Sequence, residues 1–321
     1  MPTDLIDRLL ANPSRHIDYF RYLSKTPPNT KQLKDLQQQV VSSEPVRQLL
    51  SERDADGRIP QHPYHKWSGA HWVLASLAEL NYPEGDVSLL PLADQVAGFL
   101  LGALRLDGLK RRNKGNTTGR YRACASLEGN ALIALLKLGL RQDVVPVFAE
   151  TLLNWQWPDG GWNCDTKLAA SHSSFFETLI PMRALNLYGN ISGDRKAILA
   201  AEQAGEVFLR HGLFKKLSTG DVMDRSFTVL HYPVYWHCDI LTGLWAMMEL
   251  GRLDDPRCQA AKELLIDKRL PDGGFPAEEK FYHQRSSTSN YSTVNWGPAG
   301  KTKMNPWVTM RALCVLRCTD F

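Results

Sequence analysis

Apolar residues along this chain recur at helical spacing rather than in alternation. Five segments share an apolar tail: residues 67–80 (WSGAHWVLASLAEL), 125–138 (ASLEGNALIALLKL), 174–187 (SFFETLIPMRALNL), 237–250 (HCDILTGLWAMMEL) and 303–316 (KMNPWVTMRALCVL). Their starts lie 58, 49, 63 and 66 residues apart, so each interval has room for a second helix and two loops. Ahead of or between them, residues 46–52, 92–104, 144–155, 195–210 and 256–267 read as helices. Most of these end at a glycine-containing turn: DADGRI, RLDGLK, WPDGGW, RHGLFK and LPDGGF. The pattern is helix, glycine turn, polar loop, helix, five times over.

The five repeated segments are apolar nearly all round, as expected of helices covered on both sides. Hairpins that cannot bury both faces alone must stack on neighbours, in an open solenoid or a closed ring. A doubly covered inner layer favours closure into a double-layered barrel. Runs of alternating β-branched residues are nearly absent, so the chain is expected to be all-α. Residues 1–45 form an N-terminal helical extension of three short amphipathic helices (3–10, 16–23 and 31–41), interrupted at Asn12-Pro13 and Pro27-Pro28. Residues 46–321 carry the repeat.

The stretch around the third repeat holds the most specific motif. The helix ending at Trp155 is broken at Pro158-Asp159-Gly160-Gly161, where proline stops the ladder and glycine supplies a positive φ. Trp162 follows, then a polar loop with Cys164, Asp165 and His172. Ser173 and Ser174 then stand as candidate caps for a helix carrying Glu177. Gln156-Trp157-Pro158-Asp159-Gly160-Gly161-Trp162 resembles the Q-x3-G-x-W turn of the squalene cyclase and terpenoid cyclase family, and Pro271-Asp272-Gly273-Gly274-Phe275 is similar to a degraded second copy. The repeat also resembles that of protein prenyltransferase β subunits. The resemblance spans residue 46 to the C-terminus and implies an α/α toroid of about five helical hairpins. It also implies an apolar, isoprenoid-like substrate in a central cavity. The Asp-x-Asp-Asp acid of alkene-protonating cyclases has no counterpart: Asp54-Ala55-Asp56-Gly57 lacks the fourth aspartate, and Leu253-Asp254-Asp255-Pro256 starts a flanking helix.

Composition narrows the function classes. Hydrophobic content of 43% and charged content of 22% are ordinary for a globular protein, and a net charge of +4 without a concentrated basic face does not point to nucleic acid. No run approaches the roughly 20 apolar residues of a membrane span, and MPTDLIDRLL lacks the order of a secretory signal, so no transmembrane segment and a cytoplasmic location are expected. The six cysteines are scattered and form no CxxC pair, which favours free thiols over a disulfide framework.

In a helical ring the starts of the inner helices converge on one end. Those starts carry His65, Lys66 and His71, then Arg122, Cys124 and Glu128. Cys164, Asp165, His172 and Glu177 come next, followed by His231, Tyr235, His237, Cys238 and Asp239, and finally Lys303 and Asn305. Carboxylates beside apolar walls can hold protons and histidines can return them. The expected acid–base residues are therefore Asp165, His172, Glu177, His237 and Asp239, supported by Glu128 and His71. Trp67, Trp72, Trp162, Phe176, Tyr235, Trp236 and Trp307 are the expected apolar lining, stabilising cations through their π faces. Arg120 and Arg122, with Lys110, Arg111, Arg112 and Lys114, would suit a diphosphate, or form a solvated loop.

No cofactor is expected from this reading. An alternative is zinc held by Cys164, Cys238 and His237, in a prenyl transferase or hydrolase; prenyltransferases use an Asp and a Cys two apart with a distant His, whereas Cys164-Asp165 and Cys238-Asp239 are adjacent. A non-catalytic scaffold that binds lipid or protein is the third class. Residues 295–302 (NWGPAGKT) mimic the end of a phosphate loop without its leading glycine or strand.

Overall fold

The computed structural model describes residues 3–167, 169–284 and 290–317. It is all-α. The N-terminal part holds α1 (Thr3–Leu10), α2 (Pro13–Tyr22), α3 (Thr30–Val41) and α4 (Glu44–Leu50). Pro13 opens α2 rather than interrupting a helix, because Asn12 caps it by accepting from the Ser14 and Arg15 N–H groups. The repeat then gives α5 (Ala70–Glu79), α6 (Leu90–Leu100), α7 (Ala103–Arg112), α8 (Ala125–Leu138), α9 (Val145–Trp155), α10 (Phe175–Ser192), α11 (Arg195–Arg210), α12 (Ile240–Glu249), α13 (Gln259–Ile266) and α14 (Pro306–Arg317). Two residue pairs, His283–Gln284 and Tyr291–Ser292, form a short parallel pairing.

The five apolar segments are α5, α8, α10, α12 and α14, and each packs on the next. α8 and α10 are buried on nearly every face, as all-round apolarity requires. α6 lies on α5 and α8, α9 on α8 and α10, α11 on α10, and α13 on α12. At the closest approach, a Cβ on Gly129 of α8 would stand 2.9 Å from the Pro181 nitrogen of α10, so only glycine lets these helices meet.

The first and last of the five are joined by charge. Glu79 at the end of α5 pairs with Arg311 of α14 and with Arg183 of α10, which also holds Glu249 at the end of α12 at 2.6 Å. Arg183 is buried, so the network must stay paired: stripping one partner from such a group costs about 3–5 kcal/mol.

Four of the five glycine turns are turns, with positive φ at Gly57, Gly160, Gly212 and Gly273. The fifth is not. Residues 105–110 (RLDGLK) lie inside α7, and the turn falls instead at Gly102 before it. By length and composition the stretch Val87–Arg112 is apolar enough to cross a membrane, contrary to the reading of the sequence; it is divided between α6 and α7, and α6 packs into the core.

Candidate active site

The space bounded by Ser76, Asn130, Arg183, Tyr232, Tyr235 and Arg311 is about 30 Å³, the share of one water. The segment after residue 229 fills it: Tyr235 stacks on Trp67 with centroids 4.0 Å apart, Tyr232 stacks on Trp307, and Asn130 Nδ2 donates to the Tyr235 carbonyl. At this place between α5, α8, α10 and α14 the chain's own aromatics pack against one another. Trp67, Trp72, Tyr235 and Trp307 are buried packing residues, and so is Trp162, whose Nε1–H donates to the Leu152 carbonyl.

The reactive side chains gather at the N-terminal ends of α8 and α10. Cys124 precedes α8, Cys164 lies in the loop after the WPDGGW turn, and Glu177 is in the first turn of α10; their ligand atoms all lie within 4.8 Å of one another. The backbone sets this spacing. Residues 122 and 163 pair as a parallel bridge, the Ala123 N–H donates to the Asn163 carbonyl at 3.3 Å, and the Ser126 N–H donates to Glu177 Oε2 at 3.0 Å. Burial and the Cys124 charge push Glu177 up to about 7. The Cys164 hydrogen bond and then Arg112 draw Cys124 down, leaving the thiol proton on Cys164.

Around this trio stand further charged and aromatic groups. Glu128 is buried and paired with Arg105 of α7, and burial raises its pKa. His71 is fully buried, both ring nitrogens lack a hydrogen-bond partner, and desolvation followed by the Arg105 charge lowers it to about 3. Cys124 also lines a groove of about 460 Å³ with His62, Phe99, Leu104, Arg105 and Arg112. Beyond Glu177, Phe176 meets Phe227 and Trp236, and Trp236 stacks on His237, which stacks on Phe281 at 3.6 Å. Lys66 Nζ lies 5.1 Å from the Trp236 ring and 5.3 Å from Trp67.

Several expected residues do other work. Asp165 is exposed and closes a local turn by accepting from the Lys167 N–H, so no apolar wall desolvates it. His172 is likewise exposed, 3.2 Å from the Ser171 hydroxyl. Asp239 is buried, but as the cap of α12 in a capping box with Thr242, its Oδ2 2.8 Å from His231 Nδ1. Burial raises its pKa, and His231 with the Thr242 bonds brings it below the ordinary value.

His237 is held flat between two aromatic rings, and desolvation with the His231 charge lowers it to about 3. Arg122 is a buried strut, donating to the carbonyls of Asp165 and Ala170 over the Trp157 ring, and Arg120 is half-buried. Lys110, Arg111, Arg112 and Lys114 stand exposed around the C-terminal end of α7, as a solvated loop would. Cys238 is buried with its Sγ 3.9 Å from the Asp239 carbonyl; among the described residues, Cys164 is gathered with Cys124 and Glu177, and not with Cys238 and His237.

Arg105 and Phe281 were not singled out by the sequence. Arg105 was hidden by reading its segment as a turn, and Phe281 lies between repeats without a motif of its own. At the opposite, C-terminal end of the core helices a cleft of about 880 Å³ lies against α2 and α3, but its lining includes no cysteine or histidine, and its Arg183 and Glu249 are paired. No protein-family model, curated protein or solved structure matches this chain.

Proposed function

We propose that this protein is an α/α-toroid enzyme that transforms an apolar, isoprenoid-like substrate by acid–base chemistry at the mouth of its helical barrel. The charge link from α14 back to α5 and the doubly covered core helices support ring closure. One observation carries the functional reading: a carboxyl and two thiols from separate segments converge beside an aromatic wall, where Phe176 adjoins Glu177 and packs on Phe227 and Trp236. Aromatic faces accept an apolar chain and stabilise positive charge, and a polar edge beside them moves protons. The mouth and the groove beside Cys124 form the substrate's seat.

The test is a product screen by gas chromatography–mass spectrometry with polyprenols, prenyl diphosphates and linear triterpene hydrocarbons. Turnover of one class is expected, with Glu177→Gln lowering kcat by about 100-fold and Phe176→Ala or Trp236→Ala acting mainly on KM. Tight lipid binding without conversion would replace the enzyme by a carrier. Normal turnover in folded Glu177→Gln would move the chemistry elsewhere.

A further inference from the structure

We propose that Cys124, Cys164 and Glu177 form a zinc site at the barrel mouth. The proposal rests on the reading of this mouth as the reactive end and supplies its cofactor; with zinc bound, Glu177 is a ligand and a zinc-bound water would carry the proton transfer in its place. Two thiolates and a carboxylate are a ligand set that favours zinc over magnesium or calcium, which prefer all-oxygen shells. Zn–S bonds of about 2.3 Å put tetrahedral ligands about 3.8 Å apart. The three ligand atoms already lie within 4.8 Å, so a contraction of about 1 Å completes the site.

Three features of the fold are explained by this assignment. Cys124 occupies the N-cap position of α8, where Ser, Thr, Asp or Asn would bond the free N–H groups, yet its side chain makes no cap hydrogen bond. A stabilising cap has been given up for a thiol. The backbone pairing of residues 122–123 with Asn163 fixes the two cysteine-bearing segments against each other, and buried Arg122 anchors the far side of the loop through the Asp165 and Ala170 carbonyls. Glu177 is oriented from outside by the Ser126 N–H, the kind of support that ligating carboxylates receive.

The charges also agree. Binding releases to solvent the protons held among the two thiols and the Glu177 carboxyl and leaves two thiolates and one carboxylate around a dication, a net charge of −1. Of the nearby cations, Arg105 is paired with Glu128, and Arg112, which bonds the Cys124 sulfur, is on an exposed side chain that must give up that bond to the metal. Cys124 borders the 460 Å³ groove, so a fourth position is accessible to water or a substrate oxygen.

Zinc alone is the probe. Protein purified under reducing conditions is expected to bind one zinc per chain by elemental analysis, and cobalt in its place should give the intense near-ultraviolet charge-transfer band of thiolate ligation. Cys124→Ala, Cys164→Ala and Glu177→Gln should each lose stoichiometric binding, while Cys238→Ala keeps it. The cobalt spectrum of the unaltered protein decides the matter even where a variant fails to fold. Folded, reduced protein that takes up no zinc overturns the proposal, as does full occupancy in the Cys124→Ala, Cys164→Ala double variant. A Cys124–Cys164 disulfide in protein whose reduced form ignores zinc would make the pair a redox couple instead. Turnover that survives complete chelation removes the metal and leaves the enzyme; zinc bound without turnover of any isoprenoid does the reverse.

Discussion

His71 makes the stability of this protein depend on acid in a way that can be calculated. Its ring is 2% exposed, packs edge-on against Trp72 at 4.7 Å, and has no hydrogen-bond partner at either nitrogen. Burial, then the Arg105 charge, lowers its pKa from 6.5 to about 3. A group with a lowered folded-state pKa of this kind binds its proton more readily when unfolded. Its neutral form therefore supports the fold above pH 6.5, and that support is lost as the pH falls from 6.5 towards 3. Between pH 8 and pH 5 the loss comes to about 2 kcal/mol for this one residue. Urea unfolding of the native sequence and of His71→Leu at both pH values measures it. The native protein should lose about 2 kcal/mol more than the variant over that interval, because leucine has no proton to gain. An equal loss in the two proteins would refute the reasoning and show that His71 is either charged or solvated in the folded state.

Gly160 has φ +103°, and a Cβ there would meet the Gln203 carbonyl oxygen at 2.7 Å, so Gly160→Val should destabilise by more than about 1 kcal/mol in thermal or urea unfolding, and an unchanged midpoint would mean the turn is not as described. Asp239→Ala should cost about 1–2 kcal/mol of stability through loss of the α12 cap, whereas Asp165→Asn on its exposed turn should change neither stability nor turnover; the opposite ranking would restore the loop carboxylate as the acid.

The helices were legible because their signal is redundant. An apolar segment such as 125–138 is specified by a dozen positions at once, so α8 begins and ends where the periodicity places it. Segment 105–110 misled because glycine in a helix costs only about 1 kcal/mol, and Gly108 is carried by the surrounding turns of α7. The inward packing of the segment after residue 229 was not legible at all. Nothing local in residues 229–237 announces that Tyr232 and Tyr235 turn inward, since their partners Trp307 and Trp67 lie 75 and 168 residues away.

Glu177, Cys164 and Cys124 were each legible at helix starts or in the loop before one, but not their grouping, for a reason that lies in the chemistry of helix starts. Asp, Asn, Ser and Thr are placed there to satisfy free N–H groups, and the same residue types serve as acids and ligands, so Asp239 looks catalytic in sequence while it caps a helix. A cysteine at a helix start is different, because it caps poorly and has no structural claim on the position. What the sequence could not supply was its partner. Cys124 and Glu177 meet because α8 and α10 approach closely where Gly129 faces Pro181, each within about one turn of its site residue, and that approach brings the first turns of the two helices abreast. The Ser126 N–H then reaches the Glu177 carboxylate across the gap. A bulkier residue at Gly129 would push the helices apart and separate the carboxylate from both thiols without touching any of the three, so the glycine belongs to the site as much as to the core.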